Sequence, residues 1–136
     1  PRVVQNTAKA TSTDTIHRMR CKTKPQSVIA NTYTHLLAAS AEIEGRSYGG
    51  GVLELEPTEA ERLLMPAQLA PAMPLNECDR LVRNGRLHEI LQENDRLVLM
   101  GQMGLSKRDC QMLRGIWEKM RDRRLARKKS GRSSAS

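Results

Sequence analysis

Apolar residues recur along this chain at two different periods. Val28, Ile29, Tyr33, Leu36, Leu37, Ala41 and Ile43 keep three- and four-residue spacing, which predicts one helix over 26–43. Gly45 is placed to end it. The pattern then switches to alternation in Val52-Leu53-Glu54-Leu55-Glu56, a strand of four or five residues that Pro57 stops. Thr58 followed by Glu61 has capping-box spacing and predicts a short helix over 59–64. Pro66, Pro71 and Pro74 then make 67–75 an extended linker.

Beyond the linker the pattern is helical throughout. Asn76 to Asn84 sets Cys78, Leu81 and Val82 on one face, and Gly85 closes it. Arg86 to Met100 carries Leu87, Ile90, Leu91, Asp95, Val98 and Leu99 at helical spacing. Ser106 caps a last helix whose stripe is Cys110, Leu113, Trp117 and Met120, expected to end near residue 127, with a disordered basic and serine-rich end over 129–136. Upstream, Thr15 to Lys22 places Ile16, Met19 and Cys21 among basic residues and reads as a short strand, broken at Lys24-Pro25. Residues 1–12 form a polar, flexible arm. The expected class is α+β: a strand–helix–strand unit over about 13–66, then a three-helix tail over 76–128.

Composition narrows the partners. The 136 residues suit one compact domain, with 38% hydrophobic and 28% charged side chains and a net charge of +8. Aromatic residues are scarce: Trp117, Tyr33, Tyr48 and no Phe. Leu, Ile, Val, Met and Ala must therefore fill the core, and three rings cannot also supply a platform for stacking single-stranded bases. Duplex or structured nucleic acid is the better polyanion. The charge is segregated: residues 1–24 hold six basic side chains against Asp14 alone, a balance of +5. Residues 25–113 hold eight basic and twelve acidic side chains, and residues 114–136 nine basic and two acidic, or −4 and +7. Two basic ends flanking an acidic middle suit counterion release from a polyanion. No apolar stretch reaches membrane-span length and the N-terminus has no signal-peptide pattern, so a cytoplasmic, intracellular location is expected. Cys21, Cys78 and Cys110 are dispersed, as are His17, His35 and His88, which gives neither a disulfide framework nor a metal site.

Three sets of residues carry candidate chemistry. Gly49-Gly50-Gly51 would let backbone N–H groups approach phosphate, with Arg46, Ser47 and Tyr48 adding donors. On spacing alone a tight helix-to-strand turn takes precedence, and Val52-Leu53 after the last glycine excludes a P-loop. Arg18 and Arg20 would share one strand face and reach guanine edges or phosphates. Lys119, Arg123, Arg127 and Lys128 are the candidate phosphate contacts of the last helix, while Leu113, Trp117 and Met120 are its candidate docking stripe for another protein chain. No catalytic constellation stands out, and the acidic pairs Glu54/Glu56 and Glu59/Glu61 read as solvated faces.

Thr13-Asp14-Thr15-Ile16-His17-Arg18, the following helix, and the string from Glu42 through Arg46-Ser47-Tyr48-Gly49-Gly50-Gly51-Val52-Leu53-Glu54-Leu55-Glu56-Pro57 to Glu59 together resemble the C-terminal region of adenine-specific DNA methyltransferases of restriction–modification systems. Asp79-Arg80-Leu81, Asp95-Arg96-Leu97-Val98-Leu99 and the basic end extend the resemblance over about 13–129. It implies a part that lies by the target-recognition region and contacts double-stranded DNA. The family's catalytic half binds S-adenosylmethionine and holds a flipped adenine with an Asn/Asp-Pro-Pro-aromatic motif. No two prolines are adjacent here. The expectation is therefore a fragment or split subunit, non-catalytic alone and binding no cofactor itself, with S-adenosylmethionine confined to a catalytic part or a separate catalytic methyltransferase chain. A basic RNA- or ribosome-associated protein and a helical docking subunit are the alternatives.

Overall fold

The apolar run from Val28 to Ile43 folds as two helices rather than the single one its spacing predicts: α1 (Pro25–Thr32) and α2 (His35–Glu44). The cause is local. The Thr32 hydroxyl donates to the Ile29 carbonyl at 2.6 Å, the Thr34 N–H turns back to the Thr32 carbonyl at 2.9 Å, and Tyr33 takes φ −79°, ψ 67°. Polar side chains offer the backbone an alternative to the helix ladder, and three consecutive poor helix formers end it.

The computed structural model describes residues 2–13, 15–66 and 72–133, with side chains up to Ala126. Six α-helices and a two-stranded antiparallel sheet make the class α+β. The strands are β1 (Arg46–Tyr48) and β2 (Val52–Glu54), and the remaining helices are α3 (Pro57–Ala60), α4 (Leu75–Arg83), α5 (Leu87–Asn94) and α6 (Lys107–Ser133). No strand forms over Thr15–Lys22 among the described residues. Ile16 and Met19 stand 58% and 46% exposed there, so the segment has neither a ladder partner nor a face to bury, and Arg18 and Arg20 are not aligned on a strand. Asp14 lies outside the described residues.

Two compact units share the chain, and each draws on separated stretches. The first joins α1 to α4 and α5. Cys78, Leu81 and Ile90 are buried together, with Tyr33, Met73, Leu75 and Val82 packed around them. Gly85 ends α4 as its sequence position indicates, and the Arg86 N–H reaches back to the Leu81 carbonyl at 2.9 Å. A wide π-type turn, Asp95–Met100, continues α5 and buries Asp95, Val98 and Leu99. Asn94 is fully buried and bridges the unit: its Nδ2 donates to the Ala30 carbonyl and its Oδ1 accepts the Met73 N–H, both at 2.9 Å.

The second unit comprises α2, the β1–β2 hairpin, α3 and α6. α2 packs chiefly on α6. The hairpin pairs Arg46 with Glu54, Ser47 with Leu53 and Tyr48 with Val52. Gly45 ends α2, but not by the left-handed conformation its position suggests. A Cβ there would lie 2.7 Å from the Ala41 carbonyl and 2.8 Å from Leu53 Cδ1, so glycine lets β2 cross tight against the helix end. The capping box sits two residues earlier than predicted. Glu59 Oε2 accepts the Glu56 N–H at 2.9 Å and Pro57 takes the first helical turn, which moves the short helix to Pro57–Ala60. α6 continues past the expected end near 127 to Ser133.

Candidate nucleic-acid interface

The three glycines join two strands, where the sequence predicts a helix-to-strand turn. Gly50 and Gly51 take φ of +80° and +77°, so positive φ is the reason for glycine, as the turn reading expects. The turn is held from behind. Arg124 of α6 donates from Nε and Nη2 to the two carboxylate oxygens of Glu42, at 2.9 and 2.6 Å, and from Nη1 to the Gly51 carbonyl. Glu42 is 6% exposed and Arg124 15%, and the hydrogen bonds to Glu42 push the guanidinium's pKa further up. One fork therefore ties α2, the glycine turn and α6 together. An arginine seven residues beyond Trp117 and four beyond Met120 falls on the buried stripe of α6, and that placement was the available signal for it.

A second ion pair holds the hairpin's base. Arg46 Nε donates to Glu59 Oε1 at 2.6 Å, and its Nη1 reaches Glu56 Oε1 at 3.4 Å. The Glu56 N–H, aided by Arg46, holds the Glu59 carboxyl below the usual range despite its burial. Glu59 is thus an internal partner, which corrects its assignment to a solvated face. Residues 42–62 hold six carboxylates against Arg46 and Arg62. The local charge is therefore negative, and the Arg46 guanidinium is already paired.

α6 presents a different surface. On a helical wheel Arg108, Met112, Ile116, Lys119 and Arg123 form a row away from the buried stripe, about 22 Å long at 1.5 Å per residue. All five are exposed, and Arg108, Lys119 and Arg123 have no ion-pair partner among the described residues. Other helical arginines are neutralised locally: Arg83 by Asp79 at 2.7 Å, Arg114 by Glu118 at 2.8 Å, Arg121 by Asp122 at 2.8 Å and Arg86 by Glu89.

The family model of the C-terminal domain of the type II methyltransferase M.Eco57I matches residues 1–99. The chain belongs to this family. Residues 1–99 are the C-terminal domain of a restriction–modification methyltransferase, as the Arg46-to-Pro57 string implied, and the whole of α6 lies beyond the matched span. No curated protein and no solved structure gives a significant match.

Within this methyltransferase chain the candidate residues fall into separate places, those of α6 outside the matched domain. Lys119 and Arg123 stand together on the outer row of α6, joined by Arg108, which was not among the candidate phosphate contacts. Arg127 and Lys128 continue the helix, but their side chains lie outside the described ones. Arg18 and Arg20 are exposed in the other unit, and Arg46, Ser47, Tyr48 and the glycines belong to the acid-flanked hairpin. Leu113, Trp117 and Met120 are half-buried. Trp117 meets His35 of α2 at 5.3 Å between ring centroids and carries the Arg121 guanidinium 4.5 Å above its ring, so its indole packs within the chain. Among the described residues no three His, Cys, Asp or Glu side chains cluster as metal ligands would. No helix there is long and apolar enough to cross a membrane.

Proposed function

We propose that this methyltransferase C-terminal domain binds duplex DNA on the target-recognition side of an S-adenosylmethionine-dependent, adenine-specific enzyme, and is not catalytic alone. The observation that carries the reading is the outer row of α6, where Arg108, Lys119 and Arg123 keep their charge unpaired while Arg83, Arg114 and Arg121 are neutralised by acidic neighbours. Unpaired cations along one helix face release condensed counterions when they meet phosphates, and such contacts set register without reading bases. Arg18 and Arg20 supply further exposed charge. Adenine specificity rests on the likeness of the Arg46–Pro57 string to adenine methyltransferases. Cofactor binding and methyl transfer belong to the catalytic part, within the same enzyme or as a separate chain, and the setting is intracellular.

Fluorescence anisotropy with a labelled duplex between 50 and 200 mM salt tests this. Log affinity should fall linearly with log salt, with a slope of about −3 or steeper from three or more phosphates. Absence of binding to any duplex at 50 mM salt, or salt-independent binding, overturns the proposal. Preference for structured RNA over duplex DNA in competition would move the domain to the RNA-binding class.

A further inference from the structure

The hairpin leaves two apolar side chains in water at its tip. Alternation along the strands puts Ser47 and Leu53 on the face turned toward Gly45, and Arg46, Tyr48, Val52 and Glu54 on the other. On that outer face Tyr48 is 67% exposed and Val52 60% exposed, directly opposite each other. Directly paired residues place their Cβ atoms about 5 Å apart, so the two make one continuous apolar knob. The charge beside it is negative. Arg46 pairs with Glu59 and Glu56, which leaves Glu54 as the exposed carboxylate on that face without an ion pair among the described residues.

α6 carries the counterpart. Met112 and Ile116 are 53% and 41% exposed, one helical turn apart, which sets their Cβ atoms about 5–6 Å from each other. Arg108 lies one turn before this pair, with Lys119 and Arg123 beyond it. An apolar pair with an acidic rim therefore faces an apolar pair of matching spacing with a basic rim, and both belong to the same unit.

We propose that the hairpin tip is a docking surface whose occupant is the outer face of α6 in a second copy of this chain. Tyr48 and Val52 sit on Met112 and Ile116, with Glu54 against Lys119. A two-fold pair makes this contact twice, because each copy supplies both halves. The interface belongs to the small, weak class below about 1,200 Å² and loosens with salt. It uses the same α6 row that the DNA-binding reading uses. Self-association and DNA binding therefore compete, and that competition alone rests on the proposed DNA binding.

Sedimentation velocity of the full chain from about 10 µM to 1 mM tests it, at 50 and 500 mM salt. The expected result is a monomer–dimer equilibrium weakened at high salt, and weakened about fivefold or more by Glu54→Lys or by Lys119→Glu alone. The double variant, with both charges exchanged, should recover the wild-type constant. Both positions are exposed, and circular dichroism matching the wild type confirms that the variants fold. A chain monomeric throughout the range overturns the proposal, as does a dimer indifferent to both reversals or a double variant no better than the singles. Failure of duplex binding with the dimer intact would defeat the DNA reading and leave this inference standing. A monomer that binds duplex would do the opposite.

Discussion

Replacing Arg124 by alanine should cost the domain about 4 kcal/mol, because it strands a carboxylate that water barely reaches and a backbone carbonyl beside it. Glu42 is 6% exposed and receives two of the three hydrogen bonds that the Arg124 guanidinium makes. Breaking a buried pair by removing one partner costs about 3–5 kcal/mol, and the 15% exposure of Arg124 places this case at the lower end. Loss of the Gly51 carbonyl's donor adds on the order of 1 kcal/mol. Removing both charges behaves differently. Glu42→Leu with Arg124→Met keeps most of the volume without leaving an orphan charge, and should cost less than half of the single change. Trp117 is the only tryptophan and lies in the same unit, so urea unfolding followed by its fluorescence reports on this unit. A single variant within about 0.5 kcal/mol of wild type, or a double variant as costly as the two singles added, would refute the reasoning.

Three further outcomes follow from named contacts. Glu59 is held below the usual glutamate value of 4.5, chiefly by the Glu56 N–H, so its contribution is present above that pH and is lost as pH falls through the lower native value. Wild type and Glu59→Gln should therefore differ in urea midpoint at pH 6 and converge on acidification, and a gap that persists at pH 2 would contradict this. Cys78 is fully buried and burial pushes its thiol up to about 11, so a thiol reagent at pH 8 should modify the less buried Cys21 well before Cys78. Peptide mapping that finds equal native rates would count against that burial. Asn94→Ala leaves the Ala30 carbonyl and Met73 N–H without their side-chain partner and should cost about 2–4 kcal/mol by far-ultraviolet circular dichroism, a loss below 0.5 kcal/mol being the contrary result.

What the sequence disclosed was the part written in periodicity and punctuation. Cys78, Leu81, Ile90, Val98 and Leu99 repeat at helical spacing and are the residues buried in α4, α5 and the turn after them. Gly85 and the glycine run mark turns because few other residues take those backbone angles. Contacts between distant stretches were not legible. Arg124 and Glu42 are 82 positions apart, and nothing local distinguishes a buried Glu42 from the exposed acids near it. The same limit hid the role of Glu59. Local competition explains the other differences: Thr32 and Thr34 cut one apolar helix into two, and Ile16 and Met19 lacked a sheet to join. Of the candidate interface, Lys119 and Arg123 were visible as helix-face charges, whereas the acidic setting of Arg46 emerged only once Glu56 and Glu59 were seen beside it.

DNA binding by this chain turns on whether the outer row of α6 is the phosphate contact. The deciding measurement is the salt dependence of duplex binding by wild type and by the Arg108→Ala/Lys119→Ala/Arg123→Ala variant, with Trp117 fluorescence confirming an unchanged fold. Each phosphate contact contributes about 0.9 to the slope of log affinity against log salt, so the variant's slope should be shallower by about 2.7, whatever the duplex sequence. An unchanged slope, with affinity intact, would place the DNA contact elsewhere and contradict the account.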